Sequence, residues 1–255
     1  MTTGTFAPRP GAAPLPRQVL TQARMEARLM LRNGEQLLLA VVIPVIVLVG
    51  GVTGSEHLGL SLEHDPVDVF AQGVLALAIM STAFTSLAIA TGFERRYGVI
   101  KRLGSSPLPR SGLLAGKVLA LLMVEALQVI VISAVAFALG WDPEPQVLGA
   151  LLALVTGTAA FASLGLFVAG VLRAEATLAA ANLIYLLLLT GGAVVLPISA
   201  YGSFGDVVRW LPSGALGSAM RTALIDGDIG WRDLGVLVVW TIVGTTLTAR
   251  TFKWE

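Results

Sequence analysis

Six runs of the chain are continuously apolar over nearly the length needed to cross a bilayer. They cover Gln36–Gly54, Phe70–Phe93, Leu113–Gly140, Leu148–Leu172, Thr177–Pro197 and Leu234–Ala249. A helix needs about 20 apolar residues to pass about 30 Å of hydrocarbon. The third run is long enough to tilt or protrude, and the sixth is short. Strands of a membrane barrel would alternate in polarity over about ten residues. These runs do not alternate, so the pattern predicts six helical spans. A seventh segment, Arg17–Arg32, differs in kind. At about 100° per residue, Leu20, Ala23, Ala27, Met30 and Leu31 share one face, and Arg17, Arg24, Arg28 and Arg32 form the stripe beside it. That predicts an amphipathic helix in the membrane interface, apolar side in the acyl region and arginines at the lipid phosphates. A solvated helix with an Arg face is the plainer alternative. Asn33-Gly34 would end it.

Composition sharpens this picture. Of 255 residues, 55% are hydrophobic and only 13% charged, where a soluble domain carries about 25% charged residues. Mean hydropathy is +0.81. A soluble globular enzyme and a disordered chain are both excluded. The division expected is a flexible tail over 1–16, the amphipathic helix over 17–34, and an all-α, six-span membrane domain over 35–255. Charged residues precede the first apolar run, and it lacks a clear small-residue cleavage site, so no cleavable signal peptide is expected.

Charge sets the orientation. Arg9, Arg17, Arg24, Arg28, Arg32, Arg95, Arg96, Lys101, Arg102, Arg110, Arg173, Arg250 and Lys253 fall on one side of this map. Arg209, Arg221 and Arg232 fall on the other, in one long loop. The positive-inside rule places both termini in the cytoplasm. A net charge of +1 gives no field for nucleic acid. With no cysteine and two histidines, His57 and His64, disulfides and thiolate metal sites are excluded and no metal is expected.

Little catalytic chemistry is legible. Gly112–Lys117 looks superficially like a phosphate loop, but only three residues separate its glycines and Val118 replaces the Ser or Thr that would hold Mg²⁺. Lys117, near one end of the third span, reads as a side chain snorkelling to the interface. Glu125, two turns deeper, reads either as a substrate or proton site or as a hydrogen-bonded packing residue. Ser81, Thr82, Thr85 and Ser86 on the second span read as a polar route or as close helix packing.

The stretch after the second span is the most informative. Glu94-Arg95-Arg96-Tyr97-Gly98-Val99-Ile100-Lys101-Arg102-Leu103 runs on to Ser106-Pro107, with Gly116-Lys117 entering the next span. Val99, Ile100 and Leu103 sit at helical spacing among charges. A basic loop that merely fixes topology would explain the charge but not the order. The order resembles ABC type-2 transporter permeases, most nearly the short bacterial drug-exporter permeases of the daunorubicin-resistance type. The resemblance extends to an N-terminal helix, six spans, and an outer loop carrying Leu211-Pro212 and an amphipathic run from Gly214 to Ile225. It implies that the loop is a coupling helix docking on an ATPase subunit, with Glu94, Arg95, Arg96, Gly98, Ile100 and Lys101 making the coupling. Ser81, Thr85 and Glu125 are then candidates for the translocation pathway. The chain itself would not be an enzyme: ATP and Mg²⁺ would sit on a separate ABC ATPase, and the permease would pair with a second copy or a related permease. It would lie in the plasma membrane and export a drug, a lipid or a similar substrate. Re-entrant helices in the outer leaflet would precede the last span. The rivals are an ion- or proton-coupled secondary transporter and a structural membrane subunit that moves nothing.

Overall fold

The computed structural model describes residues 13–34, 38–58, 64–103, 108–143 and 145–251. The described residues form helices and no strand. The helices are α1 (Leu15–Arg32), α2 (Ile43–Leu58), α3 (Pro66–Arg96), α4 (Val99–Leu103), α5 (Arg110–Ala138), α6 (Val147–Val171), α7 (Ala174–Gly191), α8 (Gly205–Val208), α9 (Pro212–Leu224) and α10 (Trp231–Thr251). Five of them, α3, α5, α6, α7 and α10, are long and apolar enough to cross a membrane. The first expected span is built differently. Five residues of π-helix, Leu38–Val42, lead into the 16 of α2. Together they reach about 30 Å at about 1.5 Å per residue, the thickness of the hydrocarbon. The sixth run, short in the sequence, is a full 21-residue helix, because Trp231-Arg232-Asp233 and the threonines near its end continue the turn. Most of the tail over 1–16, and Glu255 with the three residues before it, lie outside the described residues.

α3 is the axis of the bundle. Of its most apolar stretch 89% is buried inside the protein, against 22–44% for the other long helices. It packs on α2, α5, α6, α7 and α9. A helix buried on every side needs no apolar stripe, and α3 is apolar from Gly73 to Met80 without a break. Its polar residues Gln72, Ser81, Thr82, Thr85, Ser86 and Thr91 are all buried. Close approach is set by glycine. A Cβ on Gly165 of α6 would lie 2.9 Å from the Phe84 carbonyl oxygen. One on Gly73 of α3 would lie 2.6 Å from that of Val195.

Part of the segment between α7 and α10 is folded inward. α9 buries ten of its 13 residues, from Pro212 to Leu224, although it is too short to cross. It packs against α3, α6 and α10. Beside it Ala193, Val194 and Val195 run as a buried, non-helical strap, with Ala193 at φ 51°. The strap passes between Gly73 and Gly217, where a Cβ on Gly217 would lie 2.6 Å from Val194 O. Buried carbonyls of such a strap need donors. Arg221 of α9 supplies them: Nη2 donates to Ala193 O (3.2 Å) and Nη1 to Val195 O (3.4 Å). Burial pushes its guanidinium down to about 10, with Asp233, Tyr201 and Asp226 opposing, so it keeps its charge at neutral pH. Nearby, Trp240 Nε1 donates to Trp210 O (2.8 Å) and Arg232 lies 5.1 Å over the Trp210 ring. These contacts tie α10 to the turn before α9.

Candidate functional site

At the opposite end of the bundle, three helices meet on one lysine. Lys117 Nζ of α5 lies 3.0 Å from Glu26 Oε2 of α1 and 2.9 and 2.8 Å from the two carboxylate oxygens of Glu94 at the end of α3. Lys117 is 7% exposed. Gln22 Nε2 donates to Glu26 Oε1 (2.8 Å), so both oxygens of Glu26 are engaged. Snorkelling was the expectation for Lys117; the ammonium turns inward instead, because two carboxylates converge on it. The apolar face expected on α1 is also taken up by protein. Ala23 and Ala27 pack on Ala120 and Val124 of α5, with Met30 and Leu31 beside them. Small residues permit this: a Cβ on Gly116 would meet Gln22 Cγ at 2.9 Å. The charge stripe on α1 was legible in the sequence. Its one buried carboxylate, Glu26, was missed, since its partner is far away in the chain.

The residues assigned to coupling divide into two groups. Glu94 faces Lys117. Arg95 Nη1 donates to Ala169 O near the end of α6, and Arg96 pairs with Glu175 on the first turn of α7. These three thus each contact another helix of the bundle, Arg96 and Glu175 at the surface. The other group projects. After Tyr97, which stacks on Phe93, Gly98 turns the chain at φ 66°, a left-handed value that favours glycine. α4 follows, with Lys101 and Arg102 exposed. Ile100 lies on α4, its side chain outside the described residues, as is the loop over 104–107.

A second polar set lies midway along α5. Gln128 bridges two π-helical segments. Its Nε2 donates to Ala40 O before α2, and its Oε1 accepts from Thr82 Oγ1 of α3 (3.0 Å). Ser81–Ser86 is the π-helical part of α3, and such bulges free a carbonyl or amide from the regular ladder. One turn before Gln128, Glu125 is 1% exposed, and its Oε2 lies 2.6 Å from Thr158 Oγ1 of α6. Thr158 Oγ1 also lies 2.7 Å from Leu154 O. The hydroxyl has one hydrogen and donates to one of them at a time. Glu125 Oε1 and Thr85 Oγ1 are buried with no hydrogen-bond partner among the described residues. Ser81 meets the Tyr185 hydroxyl of α7. Of the pathway candidates, then, Glu125 points to α6, Ser81 to α7, and Thr85 into the interior. An apolar cavity of about 450 Å³ lies between α3, α5, α6 and α10 and is lined by Leu87, Leu114, Ala162, Ser163, Thr241 and Thr245 among others, with Lys117 at its edge. No signal in the linear sequence marked it.

Long apolar helices around a buried polar axis, with a short charged helix projecting at one end, define a multi-pass helical membrane protein. Residues 60–250 match the family model described as ABC-2 family transporter protein, and the chain belongs to that family, as a membrane-spanning transport component of the ABC type. No curated protein matches the chain at a significant level.

Proposed function

We propose that the chain is the permease subunit of an ATP-driven exporter, working by alternating access with a separate ABC ATPase that holds ATP and Mg²⁺. Two permease subunits, identical or related, form the pathway in the plasma membrane, with both termini in the cytoplasm. The observation that carries this reading is α4. It is a short helix lifted off the end of the central α3 by the Gly98 turn, with exposed basic residues and, among the described residues, packed mainly on α3. Force applied there reaches α3 directly, and α3 touches most of the bundle. The cavity of about 450 Å³ has the size and lining of a site for a hydrophobic or amphipathic molecule such as a drug or a lipid. The resemblance to daunorubicin-type exporters points the same way.

Coupling is tested on the projecting residues. Lys101→Glu/Arg102→Glu and Gly98→Trp are expected to leave the subunit inserted but to lower substrate-stimulated ATPase activity at least ten-fold in vesicles holding both subunits. Charge reversal at a docking surface costs about 2 kcal/mol or more. Wild-type stimulation in both variants would remove α4 from coupling. A transporter driven by an ion gradient would instead move substrate with no ATPase present.

Glu125 is tested separately. Glu125→Gln keeps the shape and an oxygen that accepts from Thr158, so folding is expected to change by no more than about 1 kcal/mol. Export is expected to fall or to change its pH dependence. Unchanged export across pH would take Glu125 out of the pathway, and loss of folded protein would assign it to packing.

A further inference from the structure

We propose that the notch between the end of α3 and the turn from α6 to α7 binds the phosphate of an anionic phospholipid. A cavity of about 410 Å³ lies there, lined by Gly92, Arg95, Arg96, Arg173, Ala174 and Glu175 among others. Three guanidinium groups and one carboxylate leave it positive. Arg95 is anchored on Ala169 O, which fixes it within the wall. Arg96 pairs with Glu175 at the surface, the two side chains being 49% and 64% exposed. Arg173 is exposed and makes no ion pair among the described residues. The first turn of α7 begins on the same wall with no side-chain cap, so its leading amides lack intrahelical acceptors. Arginine forks and free amides together match the oxygens of a phosphate diester.

The surroundings favour a lipid over a soluble anion or an acidic protein surface. The notch sits where three spans end, and its rim carries Val171, 53% exposed. α7 continues from it with an outward stripe of Leu183, Leu186 and Leu187, each more than half exposed. Basic pockets between membrane helices hold anionic headgroups in this way, while the acyl chains follow the apolar helix face. Glu175 is then a built-in competitor: the phosphate takes Arg96 from it.

The experiment titrates the full-length, detergent-purified subunit with phosphatidylglycerol and with phosphatidylcholine, read by native mass spectrometry. It needs no ATPase, so it stands or falls apart from the coupling assignment. Phosphatidylglycerol is expected to bind at least ten-fold more tightly. Arg173→Gln should weaken it about five-fold. Glu175→Gln should strengthen it by a similar factor, a sign that general loss of structure would not produce. Inorganic phosphate and the deacylated headgroup should compete only weakly. Equal binding of the two lipids, or weaker binding in Glu175→Gln, overturns the proposal. Effective competition by inorganic phosphate assigns the notch to a soluble anion instead. Unchanged lipid binding in Arg173→Gln likewise overturns the proposal.

Discussion

Lys117→Met is expected to destabilise the subunit by about 3 kcal/mol, because it leaves Glu26 and Glu94 facing each other in one enclosed site without a cation. Removing one member of a buried ionic cluster costs more than the cluster contributes, since the remaining charges keep their desolvation penalty. The variant should unfold at lower temperature in detergent, and α1 should become more accessible to protease. Adding Glu26→Gln and Glu94→Gln to Lys117→Met should recover most of the loss, because no charge is then left unpaired. If Lys117→Met unfolds at the wild-type temperature with α1 still protected, the lysine does not hold these helices together. The outcome bears on function. Glu94 lies just before the Gly98 turn, so the same ammonium that docks α1 also fixes the root of α4.

The second large effect lies at the other end. Arg221→Leu strips the Ala193 and Val195 carbonyls of their donors inside the protein, at a cost of about 3 kcal/mol. Arg221→Lys should recover only part of that, since a single ammonium cannot reproduce the planar fork that spans two carbonyls. Gly217→Ala attacks the same strap without touching charge. Its Cβ would lie 2.6 Å from Val194 O and 2.7 Å from Ala193 O, atoms of the backbone that cannot swing aside. Thermal unfolding of the three variants is the measurement. Equal stability of the Leu and Lys variants would show that the fork is not what holds the strap.

Particular residues show where the sequence was legible. The extent of α5 and α6 follows from runs of apolar residues long enough for the bilayer, and the structure places them within a few residues of the expected bounds. α9 was visible as an amphipathic run after Leu211-Pro212, and Pro212 at its first turn explains the sharp start. Glu94, Arg95 and Arg96 were read, with Gly98, Ile100 and Lys101, as one coupling set. The order of charges gives no sign that each one turns to a different helix. Gln128 was not singled out, since a glutamine in an apolar run has no periodic signature, yet it joins α3 to the segment before α2.

The sequence by itself determined that this chain lives in a membrane, which stretches are helical, and where a charged turn interrupts them. Those properties depend on local quantities: the length of an apolar run, the density of charge and the places of glycine and proline. The tertiary structure alone decided that α3 is the axis, that Lys117 gathers Glu26 and Glu94, and that Arg221 holds the strap beside α9. Hydropathy measures transfer from water to hydrocarbon, and lipid and protein interior look alike to it. Which apolar face meets lipid and which meets a neighbour, and which distant charge answers a buried one, is settled only when close packing brings the helices together.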